Sequence, residues 1–152
     1  MPRDRDVAEL LLAQHRHLRP SLIALDKQAA EVLFGAETDA AVQNLRDRIG
    51  SVHRQLEEHF AVEEALFETC VSADEWGAFR LQELQSSHDR NRALLAALRA
   101  DPPRLAPRSL ARIASALAGQ VLGQMVDEER ELAAVGVLDD RDSTPAPPAL
   151  AV

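Results

Sequence analysis

The sequence predicts an all-α protein, and three observations support this prediction. Alanine, leucine, arginine and glutamate, which favour helices, dominate the 152 residues, and runs of β-branched residues are absent. Apolar residues recur at alternating intervals of three and four, the spacing of one helix face. Glycine and proline separate four such segments of similar length. We therefore predict four helices joined by short loops in an up-down-up-down antiparallel bundle.

Residues that favour helix ends bound each predicted helix. Gly35 follows the first helix, and Thr38 or Asp39 caps the second. Ser72 and Glu75 form a capping box before the third, and a proline-rich loop precedes the fourth. Pro20 lies inside the first helix and is expected to kink it. The predicted helices span about residues 6–34, 39–70, 72–100 and 108–135, with the capping box at Ser72 opening the third.

The predicted bundle occupies residues 1–138 as one domain. Residues 139–152 are rich in proline, aspartate and alanine, and this composition predicts a disordered tail. A length of 152 residues suffices for a substantial core in a single domain.

Charge and composition exclude several classes of function. The chain has 25 acidic and 17 basic residues and a formal net charge of −8, which argues against nucleic-acid binding. No apolar run reaches the roughly 20 residues of a membrane span. The charged N-terminal segment predicts no signal peptide. The single cysteine, Cys70, cannot form an internal disulfide. We therefore expect a cytoplasmic protein with no membrane partner.

Polar residues interrupt the apolar seam of all four predicted helices. Counted from the helix ends of an antiparallel bundle, they fall within one slab roughly 8 Å thick. Histidines and carboxylates that converge inside an apolar core are costly unless they bind something, so we predict a metal site, with two ions favoured and one as the alternative. The predicted ligands are His15, His59, Glu63, His88, Gln124 and Glu128.

The spacing within the second and fourth helices fits this chemistry. His59 and Glu63 are four residues apart and therefore lie on one helix face, where both can bind a shared centre. Gln124 and Glu128 repeat the spacing, with an amide in place of the imidazole. Glu129 is an alternative to Glu128 as the carboxylate of this helix.

Two other histidines are expected to lie outside the site. His17 is about 200° around the helix from His15 and cannot share its face. His53 lies off the face of His59 and is expected to be structural. Asn91 lies on the seam of the third helix, where its amide can hydrogen-bond a ligand.

Four segments together resemble the metal-binding helices of the hemerythrin-like (HHE cation-binding) domain over roughly residues 6 to 136. The resemblance implies a bundle that holds two non-haem irons bridged by carboxylates. It also implies dioxygen, peroxide or nitric oxide as small ligands. The segments are QHRHLR at 14–19, EHFAVEE at 58–64, SHDR at 87–90 and QMVDEE at 124–129.

The chain departs from the family pattern at two positions. Arg92 stands where the family has a second histidine on the third helix, and Gln124 stands where it has a histidine on the fourth. Three histidines and two carboxylates remain, with Gln124 as a weak oxygen donor. Fewer donors favour an open coordination position, or a weaker or single-metal site, over reversible oxygen carriage. We expect the Arg92 side chain to extend outward.

These observations lead to three functional hypotheses. The first is a non-haem iron protein that reacts with or senses dioxygen, peroxide or nitric oxide. The second is an iron-dependent oxygenase acting on an organic substrate, for which the predicted kink at Pro20 is the only indication of a cavity. The third is a metal-depleted helical module for protein interactions. The sequence identifies no catalytic residue.

Overall fold

The computed structural model describes residues 2–35, 37–70, 75–100 and 105–134, and all regular structure in these ranges is helical. The predicted tail, residues 135–138 of the predicted domain, and Ser72 lie outside the described residues. The four helices are α1 (Pro2–Phe34), α2 (Asp39–Cys70), α3 (Glu75–Arg99) and α4 (Pro107–Ala134). The predicted all-α class and the number of helices are therefore confirmed.

Local chemistry explains where these helices begin and end. Thr38 caps α2, because its Oγ1 accepts a hydrogen bond from the Ala41 amide at 3.1 Å. After α1, the Gly35 amide donates to the Glu31 carbonyl at 3.0 Å, and a Cβ at position 35 would lie 2.5 Å from that oxygen. Both α1 and α4 begin at a proline, earlier than predicted. Proline suits the first helical position because its missing N–H has no partner to lose there.

Contacts between the helices join early residues of one helix to late residues of another. The Gln14 side chain in α1 contacts His59 in α2 at 2.9 Å, whereas Gln28 contacts Arg48 at 3.4 Å. The Arg19 side chain contacts Glu129 in α4 at 2.7 Å, whereas Asp26 accepts a hydrogen bond from Ser115 at 2.6 Å. α3 lies against both α2 and α4, and α1 packs mainly against α2 and α4.

The apolar core fills one part of the bundle and leaves the polar seam residues at the other. It is formed by the later part of α1, the first two-thirds of α2, the end of α3 and most of α4. The predicted seam leucines, isoleucines and valines of these segments are buried, apart from Ile113, which is half-buried. The seam periodicity did not predict five further core residues, namely Phe60, Ala111, Ala114, Ala118 and Met125. Four of the five lie on α4, which buries this second stripe because it packs against both α1 and α3.

The described helices bear on the prediction that the chain has no membrane span. In residues 2–35, 37–70, 75–100 and 105–134, none of the helices has the length and hydropathy that a membrane span requires.

Candidate metal centre

Five of the six predicted ligands are buried together beyond the apolar core. His15, Glu63 and His88 have no exposed surface, and His59 and Glu128 are 4% and 9% exposed. Ligand atoms of His15, His59 and Glu128 lie within 4.8 Å of one another, as donors to a single metal ion must. Gln124, the sixth, is half-buried beside Glu128.

Each buried histidine directs its Nε2 atom toward a buried carboxylate. His15 Nε2 lies 3.2 Å from Glu128 Oε2. His88 Nε2 and His59 Nε2 lie 3.0 Å and 3.4 Å from the same atom, Glu63 Oε2. The three imidazoles, from α1, α2 and α3, therefore converge on two carboxylates, from α2 and α4.

The opposite ring nitrogen of each histidine is held by a side chain from a neighbouring helix. His59 Nδ1 lies 2.9 Å from Gln14 Oε1, and His88 Nδ1 lies 2.7 Å from Glu64 Oε1. His15 Nδ1 lies 3.0 Å from Glu129 Oε1. An Nδ1–H bonded to an oxygen fixes the ring orientation and leaves the Nε2 lone pair free. Metal-binding histidines in proteins are held in this way.

The two carboxylates among these outer side chains, Glu64 and Glu129, are in turn held by arginines. Arg19 contacts Glu129 at 2.7 Å, and Arg92 contacts Glu64 at 3.0 Å. Burial alone would raise the pKa of Glu64 and Glu129. Hydrogen bonds from the histidine and the arginine instead hold both pKa values below the ordinary range. Both outer groups therefore carry a negative charge next to an imidazole. Arg92 extends outward to reach Glu64, as expected.

The inner carboxylates are too close together for both to ionise without a cation. Burial, and then the neighbouring Glu128, raise the pKa of Glu63 to about 10. Burial would raise the pKa of Glu128 as well, but contacts with His15, Glu63 and Gln124 hold it below its ordinary value. At neutral pH the metal-free pair therefore retains one proton, which the two carboxylates share.

Burial also keeps His59 and His88 neutral, which is the form that binds metals. It lowers the pKa of His59 to about 4, against the opposing charge of Glu128. It lowers the pKa of His88 as well, although hydrogen bonding to Glu64 acts in the opposite direction. At neutral pH both imidazoles therefore have a lone pair available for a cation.

Three buried atoms of the cluster fit a metal because, apart from the proton that the two glutamates share, they have no hydrogen bond among the described residues. These atoms are His15 Nε2, Glu63 Oε1 and Glu128 Oε2. Leaving such groups unsatisfied costs about 1–3 kcal/mol each, so clusters of them are rare in stable cores. One imidazole nitrogen and two carboxylate oxygens suit a divalent transition metal such as iron.

An aromatic ring separates part of this cluster from the bundle surface. Phe60 is fully buried and stacks on His88, with ring centroids 4.2 Å apart. The Arg92 guanidinium lies over the same ring at 5.4 Å. Phe60 thus limits the access of water to His88 from this side.

The structure also places the four residues that the sequence analysis discussed beside the predicted ligands. His17 is exposed on α1. His53 lies away from the cluster, where it contacts Arg99 at 2.8 Å. Glu129 lies on the outer side of His15 and is a support for that ring. Asn91 is buried and donates to Gln124 Oε1 at 3.3 Å.

Sequence reasoning missed that the outer supports are sequence neighbours of the inner residues. Gln14 precedes His15, Glu64 follows Glu63, and Glu129 follows Glu128. Each support serves a histidine on another helix, because adjacent residues point about 100° apart around a helix. Paired polar residues at three of the four interruptions were the available signal.

A surface groove between α3 and α4 reaches the cluster. It has a volume of about 500 Å³, and its lining includes Ser87, Gln124 and Glu128. Gly119 and Gly123 also line it, and a Cβ at either position would meet no atom within 4 Å. A second groove, of about 490 Å³ between α1 and α2, reaches His59. The groove beside Pro20 is lined by α1 residues and includes none of the predicted ligands.

Buried histidines and carboxylates that converge between four helices define a candidate metal-binding helical bundle. The Hemerythrin HHE cation binding domain matches residues 6–135 of the chain. The chain therefore belongs to this family, as the sequence motifs predicted. Neither a curated protein nor a solved structure was found to match the chain.

Proposed function

We propose that this chain is a non-haem iron protein that reacts with or senses dioxygen, peroxide or nitric oxide. One observation carries the proposal. Three buried imidazoles, each held at Nδ1 by an outer side chain, turn Nε2 toward two buried carboxylates with free oxygens. Iron bound there would supply the redox chemistry and the affinity for these small ligands. The proposed ligands are His15, His59, Glu63, His88 and Glu128.

The proposed architecture is an up-down-up-down antiparallel bundle. The contacts of Gln14 with His59 and of Gln28 with Arg48 support opposite directions for α1 and α2. The contacts of His88 with Glu64 and of Arg99 with His53 support the same for α2 and α3. In this arrangement the cluster lies at one level of all four helices.

The number of donors bears on how many ions bind. Five side chains supply three nitrogens and two carboxylates, which is few for two irons that each bind five or six donors. Glu63 lies close to both His59 and His88, so its carboxylate is the group best placed to serve two ions. We propose two iron positions with open coordination sites, and a single ion as the alternative.

The residues around the site have separate tasks in this proposal. The outer side chains orient the histidines, and Phe60 limits solvent on one side. We propose that small ligands enter through the groove between α3 and α4, because it reaches Glu128 from the surface.

The same groove favours one other candidate function, an oxygenase. A volume of about 500 Å³ lies within the range of pockets that hold small organic molecules. Oxygen consumption separates the two candidates. An oxygenase consumes many equivalents of dioxygen per chain when its substrate is present, whereas a sensor consumes no more than its iron content.

Metal analysis of the purified protein tests the proposal. The metal-free chain is reconstituted anaerobically with ferrous iron, desalted and analysed for iron, and its visible spectrum is then recorded after exposure to dioxygen, peroxide or nitric oxide. We expect one to two irons per chain and a spectral change with at least one of the three ligands. An iron-free wild-type chain would instead support the metal-depleted interaction module.

Matched histidine variants test the ligand set. His59→Ala is expected to lose most of the bound iron, because it removes a buried nitrogen that faces Glu63. His17→Ala and His53→Ala are the controls, since the first is exposed and the second lies away from the cluster. Iron loss as large in either control as in His59→Ala would refute the ligand set.

A further inference from the structure

The contacts of Gln124 connect α3 to the candidate metal centre. Its Oε1 atom accepts hydrogen bonds from Ser87 Oγ at 2.8 Å and from Asn91 Nδ2 at 3.3 Å, both on α3. Its Nε2 atom donates to Glu128 Oε1 at 2.9 Å. The amide therefore lies between two α3 side chains and an inner carboxylate.

These contacts occupy the atom with which Gln124 would bind a metal. An amide oxygen has two lone pairs, and here both face donors. The amide nitrogen is a donor and is not a metal ligand. The orientation of the amide is fixed chemically, because the Glu128 carboxylate requires a donor and the Asn91 amide nitrogen requires an acceptor.

Glu128 has its two oxygens in different environments as a result. Oε1 accepts from Gln124, whereas Oε2 lies 3.2 Å from His15 Nε2 and has no hydrogen bond among the described residues. A partial rotation of the carboxylate about its Cγ–Cδ bond would break the bond to Gln124 and turn the other oxygen away from His15. That bond therefore keeps Oε2 directed toward the cluster.

We propose that Gln124 is a positioning residue, which holds Glu128 from outside the coordination sphere and ties it to α3 through Ser87 and Asn91. This role replaces the weak-donor role that the sequence pattern favoured for Gln124. The inference rests on the proposed metal site. It means that this chain has, where the family has a histidine ligand, a glutamine that holds another ligand by hydrogen bonds and does not bind the metal. We call this role a clamp.

Removing the Ser87 hydroxyl distinguishes the two roles. If Gln124 were a ligand, Ser87→Ala would free its oxygen and leave metal affinity unchanged or higher. If Gln124 is a clamp, Ser87→Ala loosens it and affinity falls. Ser87 is half-buried on a helix, and a change to alanine there favours helix formation, so that the variant is expected to fold.

The experiment measures Co²⁺ binding to the metal-free full-length chain by visible absorption. We expect Gln124→Leu to weaken binding about tenfold, the lower end for loss of an outer support, and Ser87→Ala to weaken it less. The double variant is expected to bind no more weakly than Gln124→Leu, because both changes act through one bond to Glu128. Gln120→Leu, an exposed glutamine one turn earlier, is the control.

The Co²⁺ spectrum at saturation provides a second readout. Band positions and intensities depend on the number of ligands, so a clamp predicts the wild-type spectrum in Gln124→Leu. A changed spectrum, or undiminished affinity in Ser87→Ala, would overturn the inference while leaving the metal site in place. A wild-type chain that binds neither Co²⁺ nor Fe²⁺ would refute the proposed function itself, and this inference with it.

Discussion

Metal binding is expected to release a proton from Glu63, and raising the pH during metal loading tests this directly. The pKa of Glu63 is about 10 in the metal-free protein, because the group is buried next to Glu128. A metal ligand must be the carboxylate, so the ion has to displace that proton. The pKa of His59 is about 4, and its ring is already neutral at pH 6.5.

The size of the effect follows from the number of protons displaced. One proton displaced per chain makes the overall association constant for the metal rise about tenfold per pH unit, or about 1.4 kcal/mol. Between pH 6.5 and 8.5, both well below the pKa of Glu63, affinity should therefore rise about 100-fold. Neutral His59 adds no slope in this range.

Calorimetry in two buffers of different ionisation enthalpy counts the protons that are released at a fixed pH. Co²⁺ is the probe, and we expect about one proton per metal-loaded chain at pH 7.5. Glu63→Gln should release none, because an amide has no proton to lose in this range. Glu129→Gln is the matched control and should still release one, since Glu129 is already ionised. A wild-type chain that releases no proton and binds equally well at both pH values would refute this reasoning.

Three further predictions concern stability and access. The metal-free protein should lose about 1 kcal/mol of unfolding free energy per pH unit between pH 7 and 9 in urea titrations, because the folded-state pKa of Glu63 lies above its unfolded value. A flat profile would contradict this. Below about pH 6.5 the lowered pKa of His59 offsets that trend, since the unfolded chain then gains a proton that the folded one refuses. Metal at 100 times its dissociation constant should raise the unfolding free energy by about 2.7 kcal/mol, and equal melting temperatures with and without metal would indicate a vestigial site. Gly123→Leu should slow the spectral response of the iron-loaded protein to peroxide, because the added side chain would enter the groove between α3 and α4. Gly50→Leu, at an equally open helical glycine outside that groove, is the control and should not slow it. Equal response rates in the two variants would exclude this groove as the entry route.

The sequence predicted those features that depend on helical periodicity. His15, Glu63 and His88 interrupt apolar seams, and most seam positions of a bundle are buried. The proline starts of α1 and α4 were missed because helix ends depend on local capping more than on the apolar pattern.

The outer contacts depend on how the helices are rotated against one another, which periodicity does not determine. Gln14 is one position from a seam residue, and the sequence does not indicate that its amide meets His59 on another helix. The role of Gln124 is a similar case. Its spacing from Glu128 favoured a ligand, and only the positions of Ser87 and Asn91 on α3 show where its oxygen is directed.

The outer supports join three of the four helix seams of the bundle and leave the seam between α3 and α4 without such a link. Gln14, Glu64 and Glu129 link α1 to α2, α2 to α3 and α4 to α1, and each link ends on a buried histidine. Among the described residues, α3 and α4 are linked instead by the neutral hydrogen bonds of Gln124 and by an exposed Arg80–Glu131 ion pair.

Neutral hydrogen bonds contribute about 1 kcal/mol each and exposed ion pairs less, and this seam is the one of the four that is not held through a buried histidine. It is also the seam along which the groove lies. A small outward displacement of α3 from α4 would widen the groove and leave all three histidine links intact. Three of the four helix seams are thus joined through histidines of the candidate metal centre. The fourth seam, between α3 and α4, is not, and it is the one that faces Glu128.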